Sequence, residues 1–309
     1  MDDDVARRVG LSPILNTPVF QPASSAVRVK VGARSHQGAS SDRNEDHYLV
    51  VRLGRDQEIL ATSLSGDDVP PRFDEHGYAM LVADGIGQGG AGAVASRVAV
   101  STFAHLALHY GKWNVRIDPA TAIEIFERAE LFYARADDAV HAKASANATL
   151  RGMTTSLTSA YSAGEDLFIA HVGHSRAYIF RDGSLTQLTR DHTLAQHLAD
   201  SKRPTSVERR AQDLQHILTD AIGAPGGHPL VEVERFTLKD RDCLLLCTNG
   251  LTDMVDAAQI AEVLALRRAP RDQCDILIEL ANRRGGKDNI TVIVAEYQIP
   301  EPAGDRVLP

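Results

Sequence analysis

The spacing of apolar residues changes in the middle of this chain, and that change limits the folds it can adopt. Two consecutive segments, 95–110 and 122–140, carry apolar residues at steps of three and four, which predicts two long helices. Further along, the apolar period becomes two, and 154–160, 167–171 and 176–181 are predicted to be antiparallel strands joined by short turns. Hairpins after two adjacent helices argue against a repeated βαβ unit and favour a layered α+β fold.

The other predicted elements are short and mixed in type. Strands are predicted at 47–53, 78–83, 231–238, 243–248 and 290–297. Helices are predicted at 193–200, 207–219, 258–267 and 271–284. Residues 56–77 are interpreted as an insertion, because Gly66–Asp67 and Pro70–Pro71 are turn signals.

One domain is predicted to occupy most of the chain. A length of 309 residues would allow two domains of about 150 residues each. Between residues 27 and 298, however, no second linker, low-complexity tract or internal repeat is evident. Residues 1–26 and 299–309 contain several prolines and little apolar patterning, so we expect them to be loosely packed or disordered tails.

Charge and cysteine content exclude some classes of function. The net charge of −8 argues against a nucleic-acid-binding protein that works through bulk positive charge. Three cysteines, Cys243, Cys247 and Cys274, are too few for a disulfide framework and fit a reducing, cytoplasmic setting. No apolar run approaches about 20 residues, so we expect no membrane-spanning segment. No secretory signal is recognisable at the N-terminus.

A glycine-rich motif follows the strand predicted at 78–83. Gly85, Gly87 and Gly90 match the dinucleotide-binding pattern G-x-G-x-x-G. That fold requires a second parallel strand after the helix and an acidic residue about 20 positions on, and this chain offers more helix instead. Asp84 stands at the strand end, where its carboxylate and the Gly85 carbonyl would suit a hard cation. An Asp in this place can also cap the following helix.

Residues 173–177 nearly match the nucleophile elbow of serine hydrolases. An elbow requires a strand followed by a helix, whereas Ser175 is followed by a predicted strand. A serine-hydrolase function is therefore disfavoured.

Oxygen-bearing side chains stand at the ends of predicted strands that are far apart in the sequence. They are Glu45, Asp46, Asp84, Asn249 and Asp288. Each of them alone is more often a turn residue. Gathered at one edge of a fold, they would build a site for a polyvalent metal ion.

The ordered set of motifs resembles the metal-dependent protein serine/threonine phosphatases of the 2C type, in their bacterial form. The matching segments are NEDHYLV at 44–50, VADGIGQGGAGAVAS at 82–96, GMTTSLTSAYS at 152–162, HVGHSRAYIFRDGSLTQLTRDHTLAQHL at 171–198, LTDAIGA at 218–224, LLLCTNGLTDMV at 244–255 and GGKDNITVIV at 285–294. Together they cover roughly residues 30 to 297, and several blocks in the family order are more specific than any single one.

The resemblance implies two stacked antiparallel β-sheets flanked by helices, a four-layer α-β-β-α sandwich, with two Mg²⁺ or Mn²⁺ ions in a cleft at one edge. It implies that Asp84 bridges both ions, that the Gly85 carbonyl binds one and that Asp288 binds the other. Glu45 and Asp46 would orient metal-bound water or ligate a metal. Asn249 occupies the position at which the family has an aspartate ligand.

The implied chemistry is hydrolysis of phosphoserine and phosphothreonine in proteins by a metal-bridged hydroxide, with no covalent phosphoenzyme and no catalytic cysteine. The implied partners are phosphorylated proteins and, for bacterial relatives, a cognate serine/threonine kinase. No nucleic-acid or membrane partner is expected. The segment 192–217 aligns with a flap beside the cleft.

Several positions depart from the family pattern. Ser41 replaces a phosphate-binding arginine, and Arg43 would serve instead if the segment is extended, since side chains two apart share a face. His174 replaces an aspartate that serves a weaker third metal, and imidazole suits Mg²⁺ poorly. Asn249 carries no charge, and Ile86 occupies the position of a general acid found in some relatives. The histidines His171, His174 and His192 remain untested candidates for that acid or are structural.

These departures leave a second hypothesis open. The chain could be a pseudophosphatase that keeps the fold as a phosphopeptide-binding or regulatory module. Retention of Asp84, Gly85 and Asp288 argues against it, because an inactive site has no reason to keep the bridging ligand. A small-molecule phosphatase is a further alternative.

Overall fold

The computed structural model describes residues 27–64, 73–111, 117–201 and 214–300, which form two five-stranded antiparallel sheets. The first sheet has the spatial order β1 (Arg28–His36), β10 (Ile290–Gln298), β9 (Cys243–Cys247), β6 (Arg176–Arg181) and β7 (Ser184–Gln187). The second sheet has the order β2 (His47–Gln57), β3 (Phe73–Ile86), β4 (Thr154–Ala163), β5 (Asp166–Val172) and β8 (Glu232–Thr237).

Helices cover the outer face of each sheet. The helices are α1 (Ala91–Tyr110), α2 (Pro119–Ala146), α3 (Leu194–Asp200), α4 (Asn249–Thr252), α5 (Ala257–Ala265) and α6 (Pro270–Arg283). Helices α1 and α2 pack on the second sheet, whereas α5 and α6 pack on the first. The predicted four-layer α-β-β-α arrangement is confirmed, and α2 directly after α1 excludes the dinucleotide-binding unit.

The core between the sheets follows from the two-residue period of the strands. Met80 and Val82 in β3 point toward Leu244 and Leu246 in β9, and all four are fully buried. The intervening Leu81 points the other way, toward the helices. Successive side chains of a strand alternate between its faces, so β3 contributes to two hydrophobic cores at once.

The two long helices form where the apolar stripes predict them. In α1, Ala95, Ala99 and Phe103 are buried, and the Phe103 ring meets the Tyr133 ring of α2 edge to face at 5.0 Å between centroids. The start of α2 is fixed by Asp118, whose carboxylate accepts a hydrogen bond from the backbone N–H of Thr121 at 2.7 Å.

Two strands escape the sequence-based prediction. Strand β1 alternates basic and apolar residues but pairs along its whole length with β10, and β7 has only four residues. The two ends of the segment interpreted as an insertion, 56–57 and 73–77, belong to paired strands instead, because β2 and β3 pair from His47–Ala83 to Gln57–Phe73. Its turn dipeptides at 66–67 and 70–71 lie outside the described residues.

The helix predicted at 207–219 extends too far in the part that the structure describes. Leu214 is helical, whereas residues 215–219 form a turn and a short bridge, in which Leu218 pairs with Thr193. Residues 207–213 lie outside the described residues. Most of the predicted tails also lies outside them, and the domain limits of 27 and 298 stay a prediction.

The helical stretch Gln88–Tyr110 is long and apolar enough to cross a membrane, with 23 residues and a mean hydropathy of 1.3. This test concerns length and composition only, and it does not contradict the expectation that no segment spans a membrane. The buried face of α1 packs against the sheet, and core helices of soluble proteins pass the same test, so this is weak evidence for a membrane span.

Candidate metal centre

Asp84, the bridging ligand that the resemblance implies, lies near the end of β3. It stands opposite Ser156 of β4, and its backbone carbonyl accepts a hydrogen bond from the Thr155 hydroxyl at 2.7 Å. The residue is buried, at 7% exposure, although its side chain is a carboxylate. A buried carboxylate is costly unless it meets hydrogen-bond donors or cations, so this position has a function other than packing.

Asp46 joins the two sheets at the same edge. It directly precedes β2 of the second sheet, and its Oδ2 atom accepts hydrogen bonds from Thr248 at 2.8 Å and Thr291 at 2.7 Å, both in or beside the first sheet. Its other oxygen, Oδ1, is buried with no hydrogen-bond partner among the described residues. One oxygen is thus fixed by the fold, and the other is available to a ligand.

Glycines allow close approach of three backbone segments beside Asp84. A Cβ atom at Gly85 would collide with the carbonyl of Gly92 at the start of α1, and a Cβ at Gly92 would collide with the Glu45 carboxylate. Burial raises the pKa of Glu45, whereas the charge of Arg43 and the backbone N–H groups of Gly92 and Ala93 lower it. Glu45 therefore lies at the positive end of the α1 dipole.

Asn249 is buried at the end of β9, at the start of the one-turn helix α4. Its amide Nδ2 donates a hydrogen bond to Asp253 at 3.2 Å, and its Oδ1 has no partner among the described residues. Asp253 was not recognised as a site residue from the sequence. The available signal was its position four residues after Asn249, which places both on one face of a helical turn.

Asp288 is exposed in the loop before β10, and its Oδ1 accepts a hydrogen bond from the backbone N–H of Asn289 at 2.8 Å. Asn289 is buried and reaches back to the segment that carries Glu45. Its Nδ2 donates to the carbonyls of Gln37 and Arg43 at 2.8 and 2.7 Å. The sequence motif included Asn289, but its positioning role is visible only in the structure.

The negative charges of these residues act on each other. The pKa of Asp84 lies well above its usual range, chiefly because of burial and then because of the nearby carboxylates of Asp46, Asp288, Asp253 and Glu45. Burial raises the pKa of Asp46 to about 7, although its two threonine partners oppose that shift. Acidic groups crowded in this way favour either protons or cations.

The donor set fits Mg²⁺ or Mn²⁺ held partly by water. Carboxylate, amide and carbonyl oxygens are the ligands that hard cations prefer, and buried oxygens of Asp46 and Asn249 lack other partners. Among the described residues, no three His, Cys, Asp or Glu side chains converge into a complete cage. Mg²⁺ commonly keeps several waters and takes only one or two carboxylates, so a complete cage is not required.

Arg43 lies at the rim of this cluster. Its guanidinium Nη1 donates to the Gly89 carbonyl at 2.9 Å, above the glycine-rich turn that precedes α1. The segment is bent rather than extended, because the Ser41 hydroxyl donates to the Arg43 carbonyl at 2.7 Å. The premise that side chains 41 and 43 share the face of an extended segment is therefore wrong, although Arg43 still faces the site.

His174 contacts the cluster directly. Its Nε2 lies 3.6 Å from Asp84 Oδ2, and its Nδ1 has no partner among the described residues. Burial lowers the pKa of His174 to about 4, so the imidazole is neutral at pH 7 and the contact is no ion pair. The neighbouring Ser175 hydroxyl meets Ser156 at 2.5 Å and is followed by β6, which excludes the nucleophile elbow.

His171 and His192 hold the backbone of one turn. His171 Nε2 bonds the Gly173 carbonyl at 3.0 Å, and its Nδ1 bonds Thr158 at 2.8 Å. The Gly173 N–H donates to His192 Nδ1, and the His192 N–H donates back to the Gly173 carbonyl at 2.7 Å. Both residues are buried, and burial lowers the pKa of His171 to about 3. Both histidines therefore stabilise the backbone at Gly173 and are structural.

Comparison with known proteins shows the family. The model of the family "Protein phosphatase 2C" matches residues 63–278. The serine/threonine phosphatase stp of Listeria welshimeri is 33% identical over 228 residues, which is 73% of this chain and 87% of that protein. The serine/threonine protein phosphatase PstP of Mycobacterium tuberculosis is 33% identical over 70% of this chain and 40% of its own length.

Solved structures show the same architecture. The serine/threonine phosphatase of S. agalactiae superimposes with a TM-score of 0.70 at 25% identity and covers 87% of this chain and 99% of that one. The catalytic domain of PstP in complex with two manganese ions gives a TM-score of 0.66 at 29% identity, covering 88% and 99%. The chain therefore belongs to the protein phosphatase 2C family of serine/threonine phosphatases.

Proposed function

We propose that this chain hydrolyses phosphoserine and phosphothreonine in proteins, with water as the nucleophile, at a centre of two Mn²⁺ or Mg²⁺ ions. The observation that carries the proposal is the buried Asp84 carboxylate, which shares one edge of the fold with Asp46, Asp288, Asp253 and Glu45. The relative PstP, whose structure contains two manganese ions, supports the choice of metal. Bound cations would offset the repulsion that this cluster otherwise carries.

Asp84 would contact both ions, with the Gly85 carbonyl, Asp46, Asp288 and the Asn249 amide oxygen as further ligands. Bound ions of this kind activate water and neutralise charge on a transferring phosphoryl group. A third, weaker ion is not expected to bind well, because His174 presents imidazole where a carboxylate is needed.

The chain's own groups position the reactants. Thr248 and Thr291 fix one oxygen of Asp46, so its free oxygen keeps one orientation. The Arg43 guanidinium, exposed above the glycine turn, would bind phosphate oxygens of the substrate, because Arg pairs with phosphate through charged hydrogen bonds. Catalysis then consists mainly of holding water and phosphorus in line.

The test is hydrolysis of p-nitrophenyl phosphate and of a phosphothreonine peptide with Mn²⁺, with Mg²⁺ and with EDTA. Activity with either metal and none with EDTA is expected. Calorimetric titration of the chain with Mn²⁺ gives an independent measure of ion number. Activity that persists in EDTA would contradict the metal-dependent mechanism.

Asn249 favours one second candidate, a pseudophosphatase that binds phosphopeptides without turnover. Its amide carries no charge, and its Nδ2 is engaged by Asp253. This candidate predicts phosphopeptide binding with no hydrolysis at any metal concentration.

Phosphorylated proteins are the proposed substrates, and a serine/threonine kinase is the proposed counterpart that supplies them. We also propose a cytoplasmic location.

A further inference from the structure

Hydrolysis of a serine or threonine phosphate requires a proton for the leaving oxygen, because an alkoxide is a poor leaving group. Position 86, next to the proposed metal ligands, carries isoleucine and offers no proton. In an in-line displacement the leaving oxygen departs opposite to the attacking water. The donor must therefore be a group beside the acidic cluster that a bound protein substrate can reach from solvent.

The three histidines considered above do not meet this requirement. His174 is buried against Asp84, out of reach of a protein substrate, and burial lowers its pKa so that the ring is neutral at pH 7. His171 and His192 are buried, with ring nitrogens that hydrogen-bond to Gly173.

His216 lies beside the acidic cluster and is open to solvent. The segment that carries it is fixed on its C-terminal side, because the Ile217 carbonyl accepts the Leu194 N–H at 2.8 Å and the Thr219 N–H donates to the His192 carbonyl at 2.9 Å. The His216 side chain is 49% exposed. A side chain that is half open to solvent, on a fixed backbone, is accessible to a protein substrate.

The surroundings of His216 connect it to the acidic cluster. Its Nδ1 lies 3.8 Å from Asp253 Oδ2, the same oxygen that accepts the Asn249 amide hydrogen bond. The charge of His216 is the largest influence that lowers the pKa of Asp253, and it also lowers the pKa of His174. On the solvent side, the exposed Gln215 amide nitrogen donates to His216 Nε2 at 3.1 Å, and rotation of that amide would present its oxygen to a protonated Nε2.

We propose that His216 is the general acid that protonates the leaving serine or threonine oxygen. The oxygen of water forms the new bond to phosphorus while the bond from phosphorus to the leaving oxygen breaks. That oxygen keeps the electron pair of the broken bond and takes the Nε2 proton of the His216 imidazolium. Asp253 holds the Nδ1 side of the ring, and the neutral imidazole regains a proton from solvent. This assignment rests on the proposed phosphatase function.

The test compares two leaving groups in His216→Gln. With a phosphothreonine peptide the variant is expected to lose about 10²- to 10⁴-fold in kcat, the usual contribution of a general acid. With p-nitrophenyl phosphate, whose leaving group needs no proton, the loss is expected to be far smaller. His197→Gln, on the exposed face of α3, is the matched control and should match the wild type with both substrates.

Each other outcome overturns the assignment. Equal losses with both substrates, or no loss, would show that His216 donates no proton to the leaving group. A raised KM for the peptide at unchanged kcat would make His216 a substrate-binding residue. Mn²⁺ affinity measured by calorimetry should be unchanged in His216→Gln, and a fall would show that the residue acts through the metal centre. A wild type inactive on both substrates would contradict the proposed function itself, so the two failures are distinguishable.

Discussion

The side-chain oxygen of Asn289 accepts a hydrogen bond from the backbone N–H of Glu45 at 2.7 Å, across 244 positions of sequence. The same amide donates to the carbonyls of Gln37 and Arg43. One buried side chain before β10 therefore fixes the segment that brings Glu45, Asp46 and Arg43 to the site.

Asn289→Ala should lower both stability and metal affinity. It leaves one buried N–H and two carbonyls without their partner, at a cost of about 1–3 kcal/mol for each group that water does not reach. We expect a lower Tm in EDTA and a higher Mn²⁺ concentration for half-maximal activity. Asn282→Ala, in α6, serves as a control for loss of an amide outside this network. Equal Mn²⁺ dependence of the wild type and Asn289→Ala would show that the segment holds its position without Asn289.

Asp84→Asn should abolish phosphatase activity without unfolding the chain. The substitution removes the charge that would hold both ions, whereas size and burial change little. A carboxyl whose pKa is raised by folding stabilises the fold at low pH and loses that contribution as pH rises from about 3.9, its unfolded value, through the folded pKa. In EDTA, the Tm of Asp84→Asn relative to the wild type should therefore increase with pH.

Thermal unfolding at several pH values, with and without Mn²⁺, measures this effect. Mn²⁺ should raise the Tm of the wild type and not that of Asp84→Asn, because a ligand stabilises only the state that binds it. A variant that keeps more than a few per cent of the activity would exclude Asp84 as the bridging ligand.

Arg43→Ala should raise KM for phosphopeptides more than it lowers kcat. An exposed arginine that contacts the phosphate mostly contributes ground-state binding, and loss of such binding appears in KM. Steady-state kinetics of Arg43→Ala and Arg43→Lys separate the contribution of the positive charge from that of bidentate hydrogen bonding by the guanidinium. Unchanged kinetics in both variants would mean that the Arg43 guanidinium does not bind the substrate and only donates its hydrogen bond to the Gly89 carbonyl.

The layers of the fold were predictable because the helices and strands that form them follow the spacing of apolar residues along the sequence. Helices α1 and α2 follow their apolar stripes, and β9 and β10 follow their uninterrupted apolar runs. Strand β1 was missed although Arg28–Val31 alternates basic and apolar residues, because Gly32 and Ala33 cut that pattern short and the pairing with β10 is not a local signal. Position 218 was assigned to a helix, but its bridge to Thr193 decides its conformation.

The site was predictable to the extent that the motifs carry it. The motifs place Asp46, Asp84 and Asn249 at strand ends, and the structure brings them to one edge. The contacts of Asn289 and the position of His216 beside Asp253 were not predictable, since each joins residues far apart in sequence through side-chain geometry. No local pattern records a contact of that kind.

Asn249→Asp should tighten metal binding while it weakens the metal-free fold. The amide now donates to Asp253, and a carboxylate would instead place two negative oxygens where a hydrogen bond of 3.2 Å stands. In EDTA the Tm should therefore fall. With metal present, the new charge faces the ions directly, and a tenfold lower Mn²⁺ concentration for half-maximal activity would correspond to about 1.4 kcal/mol. Turnover at saturating Mn²⁺ should change less than this midpoint.

The control is Asn249→Ala, which removes both the ligand oxygen and the donor to Asp253. It should weaken Mn²⁺ binding relative to the wild type if the Asn249 amide oxygen, which has no partner among the described residues, is a metal ligand. Calorimetry and activity titrations of all three forms decide the result. Equal Mn²⁺ affinity in all three would place Asn249 outside the coordination sphere. Binding by the Asp form alone, up to millimolar Mn²⁺, would identify the natural chain as a pseudophosphatase whose missing charge is at this position.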